Sequence, residues 1–161
     1  MSDSPALTKV HIDLPNHWST GGESLWARFL GGDFYELRSV PFYAYGLSFG
    51  DVVEAKAAEP DLKPEVLRVI TAGGHRTLRV SFSKQVPEER RIELMKSLNA
   101  LKGFFERATS SYFAVDVEPD GDYEAVCSQL AGWNRDGLLD YETCEPRTLG
   151  SFDDKPGEKA K

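Results

Sequence analysis

Nowhere in the first 74 residues do apolar side chains recur at helical spacing; they alternate in twos instead. Residues 7–14 set Val10, Ile12 and Leu14 on one face and Lys9, His11 and Asp13 on the other, the period of a half-buried strand. Pro15-Asn16 and Thr20-Gly21-Gly22 interrupt that run. Residues 24–30 and 33–40 flank Gly31-Gly32, where glycine supplies the positive φ of a tight hairpin. Residues 49–56 and 65–72 read as two further strands, joined by the polar, proline-containing stretch 57–64. Short strands with no helix between them predict a small barrel or a strongly curled sheet.

After Gly73-Gly74 the pattern changes. Residues 77–82 alternate Leu78, Val80 and Phe82, and Pro87 with Glu88 and Glu89 then opens a helix. Leu94, Met95, Leu98 and Leu101 form its apolar stripe, and Lys102-Gly103 ends it. Two strands, 104–109 and 112–117, turn at Ser110-Ser111. Asp120 or Asp122 caps a second helix whose buried face is Tyr123, Val126, Cys127 and Leu130, and 138–143 closes as a strand. Strand, helix, strand, strand, helix, strand is the ferredoxin-like order, with both helices on one face of a four-stranded antiparallel sheet. The predicted fold is therefore α+β: a small all-β, barrel-like unit over residues 1–74 packed on a ferredoxin-like (βαββαβ) unit over 75–147. Asp153, Asp154, Lys155, Pro156, Gly157 and Lys159 make residues 148–161 a predicted disordered tail.

With 161 residues and 40% apolar content, the chain has enough to bury a core. A net charge of −7 disfavours generic nucleic-acid binding and suits a basic protein partner. The charge alternates in blocks: net −4 over residues 1–74, +4 over 75–107 and −7 over 108–149. Cys127 and Cys144 are too few for a disulfide framework. The N-terminal residues lack a secretory apolar core, and no run approaches a membrane span, so a cytoplasmic protein without membrane contact is expected.

Residues that could carry chemistry are few. His11 and Asp13 share a strand face and, with His17, are the nearest approach to a metal site, but a third ligand is not evident. His75 stands at the junction of the two patterns. No glycine-rich phosphate loop, nucleophile–histidine pairing or cofactor motif is present, so nothing argues for an enzyme, a metal or a cofactor. Arg90, Arg91, Lys96 and Lys102, with Arg76, Arg79 and Lys84 upstream, make a basic stripe, yet the strands lack the aromatic platform of RNA-recognition domains. The acids Asp116, Glu118, Asp120, Asp122 and Glu124 crowd nine residues, enough to steer a basic partner.

The segment Val40-Pro41-Phe42-Tyr43-Ala44-Tyr45-Gly46-Leu47-Ser48-Phe49 concentrates ring area between a proline and Gly50. It either seals the core or forms a patch. Tyrosine and tryptophan suit the second role because they bring large rigid area at small entropy cost. The binding candidates are thus Trp26, Phe42, Tyr43, Tyr45, Asp51 and His75, with Tyr43 or Tyr45 expected to stay exposed. The function they suggest is a non-enzymatic protein-binding module of the immunity or inhibitor type. The alternative is a small-molecule or nucleotide-binding protein, in one version an enzyme, with a site between the halves near Tyr45, Asp51 and His75.

Glu23-Ser24-Leu25-Trp26-Ala27, Val40 to Gly46, Gly50-Asp51-Val52-Val53 and Asp140-Tyr141-Glu142 together resemble a bacterial family, domain of unknown function 4265. The resemblance runs from about Val10 to Glu145. It implies small standalone bacterial proteins and carries no catalytic or binding role onto any residue.

Overall fold

The computed structural model describes residues 6–156, which divide into two compact units: the chain up to Gly73 with the segment from Glu145 onward, and Gly74–Cys144. The first unit is a closed five-stranded barrel of β1 (Leu7–Asp13), β2 (Gly22–Gly31), β3 (Phe34–Leu37), β4 (Val52–Lys56) and β5 (Glu65–Thr71). Successive strands pair antiparallel, and β5 returns parallel to β1 through the pair His11↔Glu65. The His11 N–H donates to Pro64 O at 2.8 Å at this seam. Val10, Ile12, Leu25, Ala27, Leu37, Val53, Ala55 and Val66 fill the interior, as their alternation requires. The β2–β3 turn uses Gly31 at φ +106° and Gly32 at φ +60°.

Two expectations for this unit need correction. The strand foreseen at 49–56 begins only at Val52, because the chain turns at Gly50 (φ +86°), where the Asp51 N–H returns to Ser48 O and the Gly50 N–H to Leu37 O. Residues 148–156 are not a disordered tail. Phe152 packs on the barrel core, its carbonyl accepts from the Tyr45 N–H at 2.9 Å, and Asp153 accepts from the Asn16 N–H at 2.8 Å. The barrel unit thus reclaims the chain at Glu145, so the boundary expected at residue 147 falls after Cys144. Residues 157–161 lie outside the described part.

The second unit holds β6 (Arg76–Phe82), α1 (Glu88–Ser97), a 3-10 turn (Leu98–Leu101), β7 (Gly103–Arg107), β8 (Tyr112–Val117), α2 (Tyr123–Arg135) and β9 (Leu139–Thr143). Its strands form one antiparallel sheet in the order β7-β8-β6-β9. Leu94, Met95 and Leu98 from the first helical segment and Val126 and Leu130 from α2 share one core with Leu78, Val80, Phe82, Phe113, Val115 and Val117. Asp122 caps α2 by accepting from the Ala125 N–H at 3.0 Å, while Asp120 pairs with Lys102. The residue with left-handed backbone that stops the first helical segment is Lys102 (φ +62°).

Candidate functional site

The aromatic segment connects β3 to β4 without regular structure, and two buried carboxylates hold it in place. Glu23, buried at the second position of β2 like Leu25 and Ala27, accepts through its carboxylate from the N–H groups of Phe42 (2.6 Å), Tyr43 (3.0 Å) and Ala44 (2.9 Å). Asp51 accepts from Ser48 N–H at 3.0 Å and Gly73 N–H at 2.9 Å. Gly73 lies so close that a Cβ there would meet Gly50 O at 2.6 Å, a contact only glycine allows. Asp51, expected to offer a charge to a partner, is instead a buried turn anchor.

The rings follow the same logic. Tyr45 is 1% exposed with the Arg147 guanidinium 4.7 Å from its ring centroid, so of Tyr43 and Tyr45, one of which is expected to stay exposed, it is not Tyr45. Tyr43 is half-buried against the barrel core and meets the buried His17 ring edge-on at 5.4 Å; Phe42 is half-buried too. Trp26 alone of the expected group is well exposed, at 46%, on the outer face of β2 with Lys9 Nζ 4.9 Å from its ring centroid. His75 belongs to the second unit, where it bonds Asp116 through Nδ1 at 2.8 Å. Burial holds the Asp116 carboxyl above its ordinary range even though the histidine bond opposes it.

Exposed apolar area on the first unit lies elsewhere. The β2–β3 hairpin tip presents Phe29 (45%), Leu30 (49%) and Phe34 (42%), with Phe29 packed on Tyr35 at 5.4 Å between ring centroids. Leu67 and Ile70 on β5 are exposed to a similar degree. Both fall at irregularities of the β4–β5 register, where β5 carries an extra residue, so they bulge from the barrel wall. The charges nearby are tied up within the barrel: Arg28 with Glu36, Lys56 with Asp33 (3.8 Å) and Arg68 with Glu54 (2.8 Å).

A groove of about 620 Å³ lies beside the β1–β5 seam, between His11 and the β4–β5 connection. His11 Nε2 donates to Asp13 Oδ1 at 2.8 Å, and that bond holds the Asp13 carboxyl below its ordinary range. Burial and a hydrogen bond to Asp13 push the Glu65 carboxyl the other way, upward. His17, grouped with His11 and Asp13 in the sequence, sits apart, accepting from Ser19 N–H through Nδ1 at 3.0 Å. No group of three or more metal-ligating side chains is assembled among the described residues.

The expected basic stripe of the second unit is dispersed. Arg91 is buried, donating to the carbonyls of Val86 (2.8 Å), Ser110 (2.8 Å) and Ser83 (3.4 Å). Arg79 is 1% exposed and bonds Glu142 at 3.3 Å, and the Arg76 guanidinium lies over Tyr123 at 3.7 Å. The acidic run is likewise engaged at Asp116, Asp120 and Asp122.

No curated protein matches this chain. The crystal structure of a hypothetical protein from Neisseria gonorrhoeae is similar in fold, with a TM-score of 0.74 at 16% identity, covering 87% of this chain and 95% of that one. The profile of a domain of unknown function, DUF4265, matches residues 23–141, which reach into both units and include Glu23, the aromatic segment, the β2–β3 turn and most of the four-stranded sheet. The chain therefore belongs to the DUF4265 family.

Proposed function

We propose that this chain is a non-enzymatic protein-binding module, of the immunity or inhibitor type, acting in the bacterial cytoplasm. It docks through the outer wall of its barrel unit, and its second unit is a ferredoxin-like support. The observation that carries this reading is the hairpin tip, which holds Phe29, Leu30 and Phe34 in water on a glycine-fixed turn. Three large apolar side chains at one tip are a costly surface for a monomer, and since each is already about half covered, burying the rest would return about 1 kcal/mol apiece. The surrounding ion pairs close within the barrel and give the polar rim of a protein interface. A net charge of −7 favours a basic partner through steering at long range. The order β7-β8-β6-β9, with βαββαβ connections, supports the ferredoxin-like assignment.

Affinity capture from a bacterial lysate tests the reading when run in parallel with wild type and the Leu30→Asp/Phe34→Ser variant. The wild type is expected to retain a stoichiometric partner that the variant loses at least about tenfold, with circular dichroism unchanged in the variant. Equal retention by both, or no specific retention by the wild type, overturns it.

A further inference from the structure

We infer that the outer barrel wall around Trp26 binds single-stranded nucleic acid, a base stacking on the indole and the neighbouring phosphates meeting Lys9, Arg28, Arg38 and Lys63. This goes beyond the docking role of the hairpin and does not depend on it. Alternation along β2 turns Leu25 and Ala27 into the barrel and Ser24, Trp26 and Arg28 outward. Trp26 is left 46% exposed, a large rigid ring standing on a strand. Its backbone is fixed on both sides of the ladder: its N–H donates to Ser39 Oγ at 3.0 Å, and its carbonyl accepts from the Arg38 N–H at 2.8 Å. An indole so placed offers its π face to a base without a loop having to order first.

Strand register places cations around the ring. Lys9 lies opposite Trp26 on β1, its Nζ 4.9 Å from the ring centroid. Arg38 flanks Trp26 on the other side, just past β3, and Arg28 is the next outward residue along β2. Arg28 and Arg38 (3.6 Å) share one acid, Glu36, so two guanidinium groups meet a single carboxylate, and the Lys9 ammonium turns to the ring. The other outward acid on these three strands, Asp13, is taken by His11 at 2.8 Å. Lys63 reaches Ser24 Oγ at 3.1 Å. Ser24 and Glu65 pair with His11 from opposite sides of β1, so this reach carries the ammonium two strand spacings, roughly 10 Å, from the backbone of Glu65. The four cations thus stand at three successive outward levels of β2, about 14 Å from end to end. That length suits the consecutive phosphates of a strand; a lone phosphate would need one level. The net charge of −7 does not prevent such a contact, since at 0.1 M salt exposed charges more than about 10 Å away are largely screened.

Fluorescence anisotropy of a fluorescein-labelled thymidine octanucleotide, titrated with the full chain in about 100 mM salt, tests the site. A labelled octaglutamate peptide is the second probe. The oligonucleotide is expected to saturate with a Kd below about 100 μM, the range of binding without base-edge readout. Octaglutamate, with charge and no bases, should bind at least about tenfold more weakly. Trp26→Leu should weaken oligonucleotide binding at least about tenfold with circular dichroism and salt dependence unchanged, since stacking releases no counterions; Trp26→Phe, with a smaller ring, should fall between. Lys9→Gln/Lys63→Gln should instead flatten the slope of log affinity against log salt by about 1.4, two phosphate contacts at about 0.7 each. The proposal is overturned by a Kd above about 100 μM, by equal affinity for octaglutamate, by undiminished affinity in Trp26→Leu, or by an unchanged salt slope in the lysine variant.

Discussion

Glu23 shows how one side chain can organise a segment far from it in sequence. Ile12 faces it across the β1–β2 ladder, and its carboxylate gathers three consecutive N–H groups about twenty residues downstream. Buried N–H groups without an acceptor are costly, so Glu23→Ala is expected to destabilise the chain by about 3 kcal/mol in denaturant unfolding. Glu23→Gln should fall between, because its amide keeps one acceptor oxygen and turns a donor toward donors. An effect under about 0.5 kcal/mol for the alanine variant would show that water replaces the carboxylate freely. In the sequence Glu23 stands out only through the family resemblance, which gives it no role, since its partners are main-chain atoms and have no letter in the code. The same blindness hid Arg91, whose cation is spent on three carbonyls rather than on a surface stripe. The burial of Tyr45 rather than Tyr43 is illegible for a related reason: in an irregular segment no period says which ring faces inward.

Among the elements, the segment from Glu145 to Pro156 carries more than its composition suggests. Phe152 shares this stretch with one other large apolar side chain, the exposed Leu149, too sparse for any pattern, yet it packs on the barrel while its own carbonyl accepts from the Tyr45 N–H and the Asp153 carboxylate from the Asn16 N–H. A chain ending at Arg147 is expected to lose about 2–3 kcal/mol of stability, from one half-buried aromatic and two hydrogen bonds. Thermal unfolding that is unchanged by this truncation would make the segment an ornament. Regular elements were far more legible. Alternation at Val10, Ile12 and Leu14 and at Leu78, Val80 and Phe82 fixed which faces turn inward, and the stripe Leu94, Met95 and Leu98 found the core. The Gly31-Gly32 hairpin was legible because its backbone needs positive φ. The exposed apolar tip on it was not, because Phe29, Leu30 and Phe34 read as ordinary strand residues until their exposure is seen.

For the molecule as a whole, pH acts through carboxyls that folding makes reluctant to ionise. Burial and then the neighbouring Asp116 hold the Glu106 carboxyl above its ordinary value of 4.5. The folded chain thus keeps this proton to a higher pH than the unfolded chain, so the group's contribution is present in acid and is lost as pH rises through the folded value. Asp116 acts in the same direction. Glu106→Gln is therefore expected to raise the melting temperature near pH 7 and to leave it unchanged near pH 4; a gain of equal size at both would point to packing instead. The return of the chain to the barrel after Cys144 has a consequence of a different kind, in the order of synthesis. On the ribosome the later unit is whole while the earlier one still waits for the segment that begins at Glu145. A premature stop or a frameshift just after the codon for Cys144 would then spare the unit nearest the lesion and strike the one translated first.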